Sequence, residues 1–190
     1  MSTGLEKLRW DLDVLAAMAA EMDDYLKSDV LYWPMARGDM PKLTLAGYLM
    51  RQRRLLQLAD LLDDEEWGRL EAAIAQFNAA LAEKIVRTEK RANEELGVRT
   101  RQWETYLKEL PRDGGGVNYS SAAENRAMIA ALTDFLENPP YQPDAAVMRS
   151  LNVQDNNLRR RWQKGEFVWP SDWEQAYPKG EYWWLYGRPK

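Results

Sequence analysis

Two sets of carboxylates are the side chains best placed to do chemistry in this chain. Glu21 and Asp24 lie three residues apart, and Asp60 lies three and four residues from Asp63 and Asp64. On a helix, that spacing puts the acids of each set on one face. Paired acids on facing helices can hold Mg2+ against a diphosphate. Glu21, Asp24, Asp60 and Asp64 would then serve a Mg2+-dependent all-α phosphohydrolase or pyrophosphohydrolase. That chemistry needs the acids to point inward, whereas Met22 and Leu26 occupy the inner stripe beside Glu21 and Asp24. Asp60 and Asp63 fall at a predicted helix end, where acids commonly serve as caps. The enzyme reading is therefore the alternative one.

The chain has no histidine and no cysteine. Imidazole-dependent triads, thiolate nucleophiles, haem, iron–sulfur clusters and the usual zinc sites are all excluded. A cofactor is expected only under the alternative reading, and it would be Mg2+. A net charge of −4 also argues against a generic nucleic-acid binder, because phosphate binding needs a positive surface.

Recognition is the better-supported chemistry. Arg159, Arg160, Arg161 and Lys164 cluster beside Trp162. Trp162, Phe167, Trp169, Trp173, Tyr177, Tyr182, Trp183, Trp184 and Tyr186 then follow within the last stretch of the chain. Trp, Tyr and Arg dominate binding hot spots, so Arg159, Arg160, Trp162, Lys164, Trp169, Trp173, Trp183 and Trp184 are the candidate partner-binding residues. The competing structural role is a strap whose rings cover the apolar flank of a helical domain. Basic side chains among rings also suit single-stranded nucleic acid, but consecutive arginines on a helix point in different directions. A protein partner or a second copy of the chain is favoured over nucleic acid. An apolar small molecule held between helices and tail rings is a further alternative.

Two short motifs have ordinary explanations. Arg37-Gly38-Asp39 spells an adhesion tripeptide, yet three residues recur by chance and a glycine turn accounts for them. Asp113-Gly114-Gly115-Gly116 precedes a helix but lacks a Lys-Ser/Thr ending and a preceding strand, so it reads as a linker rather than a phosphate cradle.

The elements that must position these groups are helical. Thr3 and Glu6 form a capping box ahead of Leu5, Leu8, Leu12, Leu15, Ala19, Met22 and Leu26, a three–four alternation that makes one apolar stripe. A loop over 28–42 should bury Trp33. Thr44 caps a second helix running to about Leu62, with Arg51, Arg53 and Arg54 facing largely away from its apolar side. Asp63 and Glu66 form a second capping box and open a long segment to Leu110, striped by Trp67, Leu70, Ile74, Phe77 and Leu81. The tight connection predicts an antiparallel hairpin of these two helices. From Arg87 to Glu95 the long segment is almost wholly polar, and Gly97 marks the expected break. A helix over 121–137, capped by a Ser121–Glu124 box, and another over 143–163, ended by Gly165, complete the set.

The fold class is all-α: an antiparallel bundle of four to five helices over 1–165, with an aromatic-rich, largely irregular tail at 166–190 packed on it. No sheet is expected. With 190 residues and no basic, apolar leader at the N-terminus, the chain reads as one cytoplasmic domain with no membrane partner. The function expected is non-catalytic binding of a macromolecular partner near the C-terminus.

Overall fold

In the computed structural model, which describes residues 3–111 and 118–190, the protein is mostly helical with one small sheet. Helix α1 spans Gly4–Lys27, α2 Leu45–Gln57, α3 Asp64–Ala82, α4 Ile85–Glu109, α5 Tyr119–Leu136 and α6 Ala145–Arg160. The tail forms β1 (Trp162–Phe167), short 3-10 turns at Ser171–Ala176 and Trp183–Leu185, and β2 (Tyr186–Pro189). The Asp113–Gly116 run lies outside the described residues. Among the described residues, no helix is long and apolar enough to cross a membrane.

Helix α1 follows its sequence signal closely. The Thr3–Glu6 capping box forms in both directions, and Leu8, Leu12, Leu15, Ala19, Met22 and Leu26 are buried. Helix α3 begins on the Asp63–Glu66 box and buries Leu70, Phe77 and Leu81. Its first stripe residue, Trp67, stays exposed. Helix α3 packs chiefly on α1 rather than on α2, so the short connection after α2 does not make the expected hairpin. Helix α5 packs against α4 and α2, and α6 against α4. One continuous set of buried apolar side chains runs from Leu8 through every helix to Leu185 and Tyr186.

The long segment divides at Glu83–Lys84, not at Gly97. The interior explains why. Arg87, Arg91, Glu95 and Arg99 recur every four residues, and Arg91, Glu95 and Arg99 are buried while Arg87 stays exposed at the end of α1, so the stripe does not form a solvated arm. Arg87 donates to the Leu26 and Lys27 carbonyls, and Arg91 donates to those of Tyr25, Ser28 and Val30, so both cap the C-terminal end of α1. Glu95, fully buried, accepts from the Ala46 N–H at 3.1 Å and from Arg99 Nε at 2.7 Å. It thereby answers an orphan donor at the start of α2, with its charge at the positive end of the helix. Gly97 continues the helix on its buried face, where Val147 of α6 approaches to 4.0 Å from the place a Cβ would occupy.

Other boundaries move for local reasons. Helix α2 ends at Gln57 and passes into a 3-10 turn, Ala59–Leu61. Helix α5 starts after Asn118, without a Ser121 cap. Helix α6 opens on Asp144, which accepts from Ala146 and Val147, and runs unbroken because Leu151, Gln154 and Leu158 keep one face buried. Gly165 sits inside β1 rather than ending the helix.

The sheet corrects the all-α expectation at the end of the chain. Strands β1 and β2 pair antiparallel, with Trp162 opposite Pro189, Gln163 opposite Arg188 and Lys164 opposite Gly187. Gln163, Lys164 and Glu166 are exposed and show no apolar alternation, which hid the strand in the sequence. Gly187 has φ +141°, and a Cβ there would overlap the Gln163 carbonyl oxygen. Gly187→Ala should therefore open the ribbon locally, lowering stability by about 1–3 kcal/mol. Faster hydrogen exchange at the Lys190 amide, which donates to the Arg161 carbonyl, will report it. Unchanged protection would show that the pairing tolerates a side chain.

Candidate partner-binding site

The four candidate metal ligands do not assemble a metal centre. Glu21 accepts from the Trp33 indole at 2.7 Å and from the Ala36 N–H, so it pins the loop after α1 against the helix. Trp33 itself is half-buried, edge-on to Tyr25. Asp60 accepts from the Gln175 side chain at 3.0 Å, while Asp24 and Asp64 are exposed. Among the described residues, no three acids gather as a metal ion would need. These residues therefore do not fit Mg2+. Arg37 and Asp39 engage each other through two hydrogen bonds on an exposed turn.

The tail is docked through polar contacts as well as rings. The Trp173 indole donates to the Gly4 carbonyl at 3.0 Å, and Arg53 donates to the Ala176 carbonyl at 2.6 Å. Arg51 and Arg54, expected to face outward, are instead buried on the single carboxylate of Asp11, at 3.2 and 2.6 Å. Arg54 also donates to the Tyr177 hydroxyl and lies 4.0 Å from the Trp173 ring centre, with Trp169 at 5.2 Å. Burial opposes the charge on both guanidiniums. At Arg51 it prevails and draws the group below its ordinary range, while at Arg54 Tyr177 and Asp11 overcome it and hold the group higher.

A second, partly buried pair sits beneath the other end of the tail. Arg126 donates twice to Asp155, at 3.1 and 2.8 Å, and its guanidinium lies 4.0 Å from the Trp184 ring centre. Trp103 donates to the same carboxylate at 3.3 Å. Burial also pushes the Tyr182 hydroxyl up to about 12, so the phenol stays neutral in the packed tail.

Beside the docked tail lies a cleft of about 590 Å³. It is lined by Arg159, Trp162, Lys164, Lys179, Gly180, Trp183 and Tyr186. The end of α6 supplies Arg159, β1 supplies Trp162 and Lys164, the segment leading into the last 3-10 turn supplies Lys179 and Gly180, and β2 closes it with Tyr186. Trp162 and Trp183 meet at 89° with centres 5.4 Å apart, making an aromatic corner. Arg159 lies 4.0 Å from the centre of Trp183, and Lys179 lies 5.4 Å from that of Tyr186. Each of these cations covers an aromatic ring while keeping outward donors. Three cations and three rings thus share one wall system, with no carboxylate among its described lining residues.

Of the eight candidate residues, the structure brings four together here: Arg159, Trp162, Lys164 and Trp183. Arg160 is exposed but outside the cleft. Trp169 and Trp173 flank Arg54 elsewhere, and Trp173 and Trp184, at 6% and 4% exposure, lie outside this cleft. Sequence reasoning missed Lys179 and Tyr186. Their only signal was a basic residue and a ring at the two ends of a Gly180-containing turn, and the ribbon register is what joins them to β1. No known protein family, curated protein or solved structure matches this chain.

Proposed function

We propose that this is a non-catalytic, cytoplasmic binding protein that engages a macromolecular partner through the cleft between α6, β1 and the tail. In this reading the helical part of the chain is an antiparallel bundle, built from six α-helices among the described residues rather than the four to five expected. Residues 166–190 are clamped on that bundle as part of the same folding unit, serving as strap and as recognition surface. The observation carrying the proposal is the set of Arg159, Lys164 and Lys179 around Trp162, Trp183 and Tyr186, with no acid among the described lining residues. Cations at neutral pH and aromatic rings hold ligands, and the cleft offers no nucleophile–base pair with which to transform one. A purely apolar small molecule would desolvate the cations without pairing them, which disfavours that occupant.

A photo-crosslinking side chain at position 164, which is exposed, tests the proposal in a lysate of the native host. The expected result is a discrete protein adduct at 164 that fails to form when the crosslinker is placed at Gln57. The same adduct should disappear on adding Trp183→Ala and Arg159→Ala in a protein with a near-native melting temperature. Equal labelling at 164 and 57, or adduct formation indifferent to the cleft substitutions, overturns it.

A further inference from the structure

Resting on the reading of the cleft as a partner-binding surface, we infer that its occupant is an acidic polypeptide segment carrying an aromatic or branched apolar side chain. Two observations determine the chemistry. Three cations line the cleft with no described anion opposing them, so carboxylates complete the charge balance locally in a protein that is acidic overall. The perpendicular pair of Trp162 and Trp183, with Arg159 over one Trp183 face, lines the cleft with ring edges against which a single ring or branched side chain packs.

The same geometry disfavours single-stranded nucleic acid, the other polyanion with rings. A base stacks on a face with open space above it. Here the Trp183 face is covered by Arg159 at 4.0 Å, and Trp162 meets Trp183 edge-on rather than parallel. A phosphate backbone also needs a track of cations. At this end of α6 Arg161 is spent on the Lys190 and Pro111 carbonyls. Arg160 is not among the residues that line the cleft, and Glu166 and Glu181 flank it in sequence. A peptide needs only two or three carboxylates at fixed places, which Arg159, Lys164 and Lys179 supply.

Fluorescence anisotropy with the full-length chain tests the inference. The probes are a labelled peptide of ~12 residues rich in Asp and Glu with one central Phe, its Asn/Gln analogue, and an oligothymidylate of similar length. The acidic peptide should bind, and the neutral analogue should bind at least about tenfold more weakly. Raising salt from about 50 to about 500 mM should weaken the complex further, since cleft-rim charges are screened. Lys164→Glu and Lys179→Glu change exposed side chains and should preserve the helical melt. Each should reduce peptide affinity by about tenfold, with a larger combined loss. Oligothymidylate binding without peptide binding overturns the inference, as does peptide binding unaffected by the double substitution. If the peptide fails while the adduct at position 164 persists, the acidic occupant is wrong and the cleft still binds a partner. If both fail, the cleft reading falls too.

Discussion

Removing residues 166–190 will cost the protein its cooperative fold. The segment supplies Trp173, Ala176, Tyr177, Tyr182, Trp184, Leu185 and Tyr186 to the buried apolar set. Each large side chain taken from water contributes roughly 1.5–3 kcal/mol. Together they approach the ~5–15 kcal/mol by which a whole domain is stable. The polar losses add to this, because deletion strips Tyr177 and Trp173 from Arg54 and Trp184 from Arg126, opening both buried guanidiniums to water on one side. Circular dichroism should show reduced helix and a broad, low thermal transition. A sharp melt at the full-length temperature would mean that the tail merely rests on the helices, and the strap role would be withdrawn.

The second large effect belongs to Asp11. Asp11→Ala should destabilise the protein by about 3–5 kcal/mol, as expected when one partner of a buried ion pair is removed and the other is stranded. Here two are stranded, Arg51 and Arg54, both buried on the one carboxylate between α1 and α2. Urea denaturation should show the midpoint falling at unchanged slope. Asp11→Asn keeps the shape and an acceptor and should lose less. The decisive measurement is the double-mutant cycle with Arg51→Ala: removing the cation as well should recover part of the loss. Strict additivity would show that volume, not charge, sets the cost at this position.

These two positions also mark where the amino-acid sequence stopped being sufficient. Features whose physics closes within one or two helical turns were readable directly. Leu8, Leu12, Leu15, Met22 and Leu26 fall on one stripe whatever they pack against. The Thr3–Glu6 and Asp63–Glu66 boxes satisfy donors three residues away. Arg159, Trp162 and Lys164 were legible as a group because they are near neighbours in the chain, and the density of rings after them pointed to a docked tail.

What the sequence could not decide was the fate of its charges. Asp11 meets its arginines forty and more residues away, Glu95 meets the start of α2 at a separation of 49, and Arg53 meets the tail at 123. Arg87, Arg91, Glu95 and Arg99 repeat every four residues as regularly as any leucine stripe. Yet charge is read as solvent-facing unless a partner is known, and partners at such distances exist only once the helices are packed. The break at Glu83–Lys84 follows from the same cause: α4 turns so that Arg91, Glu95 and Arg99 are buried, while nothing local to Gly97 requires a stop. The cleft is a tertiary product too. Pairing of β1 with β2 sets Tyr186 opposite Phe167, and this antiparallel return closes the cleft that Trp162, Lys164 and Lys179 also line. Short-range helix signals belong to the sequence because their donors and acceptors lie within reach along the chain. Buried charge pairs and the cleft belong to the fold because their partners come within reach only across it.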